Sequence, residues 1–174
     1  DEHPLVDASY LFDSQDISVL QERISKSQDH LSELSIRYVV VPDDSLYEIF
    51  LKDRKYDETQ YENLVKSLEK IPWIKKVFIA SKIIVFETQY YKDRFWSQEG
   101  TRIDYTTVDT TKYTVNVATD VPIMLNFSES YSPNWIAYSN NQALALTQSE
   151  YGLMQITVLP GNHAITVTYA PEKY

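Results

Sequence analysis

Hydrophobic positions in the first half of the chain repeat at helical spacing. One helical face collects five of them: Ile17, Leu20, Ile24, Leu31 and Leu34. A second set follows at i, i+3, i+4 and i+7: Tyr61, Leu64, Val65 and Leu68. Asp13 and Asp16 can satisfy free amides where the first helix begins. Gln60 can do the same three residues after Asp57. The pattern predicts two amphipathic helices, the second of which ends at Pro72.

Strand patterns surround the second helix. The β-branched run from Ile36 to Val41 stops at Pro42, and it is typical of a strand covered on both faces. Lys75 to Ala80 and Lys82 to Glu87 are two short apolar runs on either side of Ser81, which predicts a hairpin. The order helix, strand, helix, hairpin therefore predicts a small α/β layer.

After Thr101 the hydrophobic period changes from helical to alternating. Side chains alternate between apolar and polar in most of the segments, so each predicted strand has one apolar face. Asn140-Asn141 and Pro160-Gly161 are suited to tight turns between strands. The seven predicted strands are Arg102 to Val108, Lys112 to Ala118, Pro122 to Ser128, Trp135 to Ser139, Gln142 to Thr147, Leu153 to Leu159 and His163 to Tyr169. The expected fold class is α+β, a small α/β layer followed by an antiparallel seven-stranded β-sandwich.

The distribution of charge indicates where the two parts meet. Lysine and arginine crowd between Arg23 and Lys112, whereas Tyr113 to Pro171 contains none. A compositional change of this kind suggests a domain boundary in the polar, aromatic segment from Gln89 to Thr101. We therefore expect an α/β domain at residues 1–95 and a β-sandwich domain at residues 96–174.

Composition excludes several functional classes. The chain has only three glycines, so no glycine-rich loop is available to bind the phosphates of a nucleotide cofactor. A net charge of −9 repels nucleic acid. The chain has no cysteine, which removes disulfides, thiol catalysis and cysteine-ligated zinc. We expect no cofactor and no nucleic-acid partner.

Residues capable of acid, base or metal chemistry are few and scattered. His30 and Glu33 have a helical i, i+3 spacing that a metal could use, but the sequence offers no second pair. The Asp43-Asp44 pair could bind a cation or exchange protons, although a turn before a helix explains it better. No Gly-x-Ser-x-Gly segment marks a serine nucleophile. The sequence predicts no metal site and no catalytic residue.

Aromatic side chains are the remaining binding candidates, because sugar-binding modules stack sugar faces on exposed rings. The weak candidates are Trp96, Tyr90, Tyr91 and Trp73. Tyr90, Tyr91, Phe95 and Trp96 cluster in the expected linker, where a plug between the two domains explains them better than a ligand site does. Trp73, just after Pro72, is likewise better explained as a residue that covers a core. Trp135 is better explained as a core residue that packs across the sandwich.

Four blocks of the sequence, in the same order, resemble the carboxy-terminal region of YfhO-like and related GT-C type polytopic membrane proteins. Leu31-Ser-Glu-Leu-Ser-Ile-Arg-Tyr-Val-Val-Val41 is similar to their pattern L-x-x-L-G-V-K-Y-V-V. In the second block, Lys75 to Glu87 resembles their hairpin v-y-e-d-g-k-v-v-V-Y-E. The segment Leu125 to Trp135 resembles L-v-l-s-e-x-Y-x-P-G-W, which is followed by a v-d-G turn where Asn140-Asn141 stands in this chain. Leu159-Pro-Gly-Asn-His163 with Tyr169-Ala-Pro171 is similar to their final block, l-P-a-G-x-H-x-v-x-l-x-Y-x-P.

The resemblance implies a particular setting for the chain. It implies an extracytoplasmic domain, tethered to the cell membrane through an upstream transmembrane region, in a protein related to glycosyltransferases that use lipid-linked sugars. The family's proposed catalytic carboxylates lie between transmembrane helices, so no catalytic residue carries over to this segment. The expected partners are the transmembrane portion of the same polypeptide and, as a second possibility, glycan.

Two other functional classes remain open from the sequence. A stand-alone carbohydrate-binding or adhesion module would also be rich in strands and aromatic residues. A small soluble enzyme would need a cluster of polar groups that the sequence does not display. The first alternative differs from a membrane-tethered domain in what precedes the chain, since it would need only a signal peptide and no membrane spans.

Overall fold

The computed structural model describes residues 16–42, 58–80 and 83–171. Over these residues the protein is α+β, with mostly antiparallel sheet and few helices. The chain divides into two compact units, and Tyr91 and Lys92 stand on either side of the division. The domain limits of 1–95 and 96–174 stay a prediction.

Some sequence predictions concern residues or side chains outside the described part of the chain. They are the helix-start residues Asp13 and Asp57, the side chain of Gln60, the Asp43-Asp44 pair and the turn at Ser81.

The first unit packs helices on one face of a three-stranded antiparallel sheet in the order β1-β3-β2. Its elements are α1 (Ile17–Lys26), α2 (Gln28–Glu33), β1 (Tyr38–Pro42), α3 (Glu58–Leu68), β2 (Ile74–Ala80) and β3 (Ile83–Thr88). The core joins Ile24 and Leu31 from the helices to Val41 and Phe86 from the sheet. Strands β2 and β3 pair as the predicted hairpin.

The first predicted helix is divided in two at Ser27. Asp16 caps its start as predicted, because its carboxylate accepts hydrogen bonds from the amides of Ser18 and Val19. The hydroxyl of Ser27 donates to the carbonyl of Arg23 at 2.7 Å, a local bond that competes with helix continuation. Helical periodicity alone does not reveal this break.

Helix α2 ends in a Schellman motif that places a serine in the left-handed region of backbone conformation. The amide of Ile36 donates to the carbonyl of Leu31 at 2.9 Å, and the amide of Ser35 donates to that of Ser32 at 3.0 Å. Ser35 between them has φ +57°. Glycine is the usual residue at such a position.

The second unit contains two antiparallel sheets that share one hydrophobic core. Its strands are β4 (Phe95–Trp96), β5 (Ile103–Asp109), β6 (Lys112–Thr119), β7 (Ile123–Ser130), β8 (Trp135–Ser139), β9 (Gln142–Leu144), β10 (Leu146–Gln148), β11 (Leu153–Val158) and β12 (Gly161–Tyr169). One sheet has the order β10-β11-β7-β4, and the other has the order β5-β6-β12-β8-β9. Rings from the two sheets meet in the core, where Phe127 of β7 lies edge-to-face with Trp135 of β8 at 5.2 Å.

The prediction of a single seven-stranded sandwich is wrong in two places. The segment from Gln142 to Thr147 forms two strands instead of one, because β9 pairs with β8 and β10 pairs with β11 in the other sheet. The chain crosses between the sheets at Ala145. Phe95 and Trp96, predicted to lie in a linker, form the short strand β4 beside β7.

The tight turn predicted at Asn140-Asn141 is confirmed. The two residues have φ values of +50° and +63° and join β8 to β9 as a hairpin. Asparagine tolerates this left-handed conformation better than other non-glycine residues. Gly161 also has a positive φ, +135°, where β12 begins.

Candidate functional site

The four aromatic candidates lie in different environments. Trp73 is buried in the core of the first unit, and its indole N–H donates to the carbonyl of Ser25 at 3.2 Å. Trp96 is buried in the second unit, where its N–H donates to the hydroxyl of Ser128 at 3.3 Å. The ammonium of Lys92 lies 3.4 Å from the centre of the Trp96 ring. Both indoles are therefore engaged within the fold.

Tyr90 and Tyr91 differ from the two tryptophans because both are exposed. Tyr90 is 58% exposed, and its carbonyl accepts a hydrogen bond from the hydroxyl of Ser32. The guanidinium of Arg37 lies 4.8 Å from the centre of the Tyr91 ring and 5.1 Å from that of Tyr38. Arg37 thus contacts both Tyr91, a binding candidate from the sequence, and Tyr38 of strand β1.

Arg37 also forms an ion pair at the end of the three-stranded sheet. Its Nε donates to the carboxylate of Glu87 at 2.9 Å, and Glu87 lies opposite Tyr38 in the sheet register. Exposed pairs of this kind contribute little to stability, between 0 and about 1 kcal/mol. The pair between Arg37 and Glu87 instead holds the guanidinium in place beside the two tyrosine rings.

The face of this sheet away from the helices is apolar and exposed. Val40 of β1 lies opposite Val85 of β3, which lies opposite Phe78 of β2. Val40 and Phe78 are 55% and 54% exposed. We call this surface the open face: Tyr38, Val40, Phe78, Ile83 and Val85. It contradicts the prediction that the strand from Ile36 to Val41 is covered on both faces.

A β-bulge places Phe78 on the open face. The register between β2 and β3 shifts between Lys76 and Phe78, so that Val77 is the extra residue. Strict alternation from Lys75 would have directed Phe78 toward the helices. The bulge instead brings its ring to the same face as Val40 and Val85.

Sequence reasoning missed the open face, although one signal was present. All three strands of the first unit are rich in apolar residues, whereas its predicted helices could cover only one side of a sheet. An excess of apolar strand positions over covering elements would have indicated an exposed apolar surface. Contiguous surfaces of that kind commonly mark interaction sites.

A second surface lies on the outer side of the five-stranded sheet. Three exposed amide side chains line a groove of about 410 Å³: Asn116, Asn140 and Asn162. Arg102 and Asp104 form an ion pair at 3.0 Å along the same groove. We call this surface the amide groove. Its carboxamide groups can both donate and accept hydrogen bonds.

His163 also borders the amide groove, although strand alternation places its side chain with that of Val117 on the core side of the sheet. Its Nε2 lies 2.8 Å from the carbonyl of Leu159, and because a carbonyl can only accept, Nε2 is the nitrogen that carries the proton. With Arg102 paired to Asp104, the formal charges along the groove cancel.

Carboxylates of the second unit are engaged in contacts that shape the fold. Glu129 accepts a hydrogen bond from Arg94 at 2.6 Å, and Asp93 accepts one from the hydroxyl of Tyr105 at 2.8 Å. Burial and the bond to Asp93 raise the pKa of Tyr105 to about 12. Among the described residues, no three His, Cys, Asp or Glu side chains are grouped to hold a metal ion.

Comparison of the chain with protein families, curated proteins and solved structures gives no match. No helix in the described ranges is both long enough and apolar enough to span a membrane. Functional conclusions therefore rest on the two surfaces and on the resemblance of the four sequence blocks.

Proposed function

We propose that the chain is a non-catalytic extracytoplasmic domain of a polytopic membrane protein that resembles lipid-linked-sugar glycosyltransferases. Its first unit attaches it to the transmembrane portion of the same polypeptide through the open face. The observation that carries this proposal is the apolar row of Val40, Val85 and Phe78, in which Val40 and Phe78 are more than half exposed. Such a row loses contact with water when another surface covers it, which favours docking.

The rim of the open face also suits a membrane-proximal position. Tyr38 and Tyr91 place amphipathic rings beside the guanidinium of Arg37, and the exposed Lys75 lies opposite Glu87. Tyrosine rings favour the boundary between lipid and water. Basic side chains are attracted to anionic headgroups. Both preferences support a surface that meets a membrane protein near its lipid boundary.

Backbone geometry supports the family resemblance that underlies the proposal. The resembled patterns have glycine at positions that correspond to Ser35, at the turn of Asn140-Asn141, and near Gly161. All of these residues have positive φ in this protein. Asn134, also in the place of a glycine, is not among them. The shared need for a left-handed residue is a physical reason for the similarity at three of these four positions.

Photo-crosslinking in the full-length membrane protein tests the proposal. A photoreactive phenylalanine analogue replaces Phe78 in one variant and the exposed Thr157 of β11 in a control. We expect the Phe78 variant alone to crosslink to transmembrane peptides of its own chain. Equal crosslinking at Thr157, or a gene that encodes no membrane spans, would contradict the proposal.

A second candidate function is glycan binding at the amide groove. The observation that favours it is the convergence of Asn116, Asn140 and Asn162 from two strands and a turn. Cancelled charge in the groove and a net charge of −9 favour a neutral oligosaccharide over an anionic one.

Calorimetric titration of residues 1–174 with neutral oligosaccharides tests glycan binding. We expect weak, millimolar affinity, because contacts in an open groove offset only part of the free-energy cost of the lost translational and rotational freedom. The double variant Asn116→Ala with Asn162→Ala should weaken it at least tenfold, whereas Thr157→Ala should not. Unaltered binding by the double variant would remove the groove from consideration.

A further inference from the structure

The end of the hairpin formed by β2 and β3 is exposed on both faces of the sheet. Ile79 of β2, Ile84 of β3 and Val41 of β1 lie in one row across the face that the helices cover. Val41 is 6% exposed in this row, whereas Ile79 is 65% exposed. The helices therefore cover the row at β1 and leave it open at the end of β2.

The other face of the hairpin end is exposed and apolar as well. Phe78 and Ile83 are exposed there as parts of the open face, and Val77 and Ala80 of β2 are exposed beside them. We call these residues the hairpin tip: Val77, Phe78, Ile79, Ala80 and Ile83. A partner with a single docking surface would cover one side of the tip, whereas a lipid layer surrounds both sides.

The hairpin tip is accompanied by basic residues. The chain from Lys75 to Phe86 contains three lysines and no acidic residue, although the net charge of the protein is −9. Lys75 is exposed, and Lys76 forms an ion pair with Glu69. Charges more than about 8 Å away are largely screened at physiological ionic strength. The lysines close to the tip, and not the net charge, therefore determine its attraction to anionic headgroups.

We propose that the hairpin tip inserts into the surface of an anionic lipid bilayer. The proposal rests on the function proposed above for its setting, because a domain held at a membrane has lipid within reach. It differs from that function in the residues involved and in the partner, since Ile79 and Val77 lie outside the open face and the partner is lipid.

The length of the hairpin tip fits a shallow insertion. Val77 to Ala80 spans about 10 Å at about 3.3 Å per residue. Amphipathic segments of peripheral proteins enter the boundary between headgroups and acyl chains by about 5–10 Å. Deeper insertion is unfavourable, because β2 is an edge strand and the unpaired backbone groups of its outer edge would lose water without compensation. Insertion of the tip alone leaves Lys75 at the level of the headgroups.

A single fluorescent label tests the insertion, because the chain contains no cysteine. Ile79→Cys is prepared in residues 1–174 and labelled with nitrobenzoxadiazole, and vesicles of equal parts phosphatidylcholine and phosphatidylglycerol are added. We expect the emission to shift to the blue and at least to double, and nitroxide groups high on the acyl chains to quench it. The same label on Leu159→Cys, a site in the second unit that is 63% exposed, should not respond.

An acidic substitution measures how much the tip contributes to vesicle binding. We expect Ile79→Asp to reduce the bound fraction, measured by sedimentation with these vesicles, at least tenfold relative to Leu159→Asp. Both variants change the net charge equally at exposed sites, but only Ile79→Asp places a carboxylate in the lipid. Circular dichroism checks that both remain folded. Vesicles of phosphatidylcholine alone should bind the wild-type protein more weakly.

Three results would overturn the proposal. In the first, the label at Ile79 does not respond to vesicles. In the second, the labels at Ile79 and Leu159 respond equally, which would indicate general adsorption. In the third, the label at Ile79 responds to protein concentration without vesicles and not to lipid, which would assign the tip to a second copy of the chain. The vesicles contain no transmembrane region, so each of these failures is distinguishable from a failure of crosslinking at Phe78.

Discussion

The two units cover their sheets in different ways. In the second unit one sheet covers another, and Val115, Phe127 and Ile165 from the two sheets are fully buried. In the first unit helices cover one face of the sheet, so that Phe86 is fully buried whereas Phe78 of the neighbouring strand is not. Apolar strand residues in this chain are therefore either buried or exposed, and the difference depends on whether another layer covers their face of the sheet.

The largest effect we expect is the loss of Trp135 from the second unit. Trp135→Ala should lower the free energy of unfolding by about 3–5 kcal/mol, because it removes a large ring packed against Phe127 and Tyr169. Urea denaturation measures the change. Trp135→Phe should cost less, since it retains an aromatic ring. An unchanged midpoint for Trp135→Ala would mean that the shared core does not depend on this ring.

Side-chain alternation predicted the second unit better than the first. Strands such as Lys112 to Ala118 were found from the sequence because each needs one apolar face toward the other sheet. The crossing at Ala145 was not predictable in this way, because β9 and β10 are three residues each, too short for alternation to show that they pair in different sheets. Strand β4 was missed for a similar reason, since two residues carry no period.

The candidate surfaces were only partly predictable. Tyr90 and Tyr91 were identified as aromatic candidates, but the link of Tyr91 to the open face depends on Arg37, a contact between residues far apart in sequence. The bulge at Val77 that exposes Phe78 leaves no sequence signal. The amide groove depends on the register between β6 and β12, which brings Asn116 opposite Ala164 and is not visible in either strand alone.

A second expected effect concerns high pH and is specific to the second unit. The pKa of Tyr105 is about 12 in the folded protein because of burial and its bond to Asp93, whereas an unfolded tyrosine titrates near 10. Its contribution to stability is therefore fully present below about pH 10 and is lost as the pH rises toward about 12. Tyr105→Phe should show a shallower decline over this range in denaturation experiments. Parallel declines for the two proteins would refute the assignment.

Ser35 tests the backbone of the first unit. Because Ser35 has φ +57°, Ser35→Gly should relieve left-handed strain and raise the free energy of unfolding by up to about 1 kcal/mol. Ser35→Ala keeps the β-carbon and should give no such gain. Urea denaturation of the three proteins separates relief of strain from loss of the hydroxyl. A gain in both variants would show that the hydroxyl, and not the backbone, is unfavourable.

The smallest effect on stability is expected at the open face, where the two units differ most. Phe78→Ser should change the free energy of unfolding by no more than about 0.5 kcal/mol, because the ring is already 54% exposed. Its effect should appear in association instead. In the full-length protein we expect the variant to weaken docking of this domain, measured as faster proteolytic release from membranes. Thr107→Ser, on an exposed strand position of the second unit, is the control. A loss of stability as large as that for Trp135→Ala would mean that Phe78 belongs to a core and that the open face is not a docking surface.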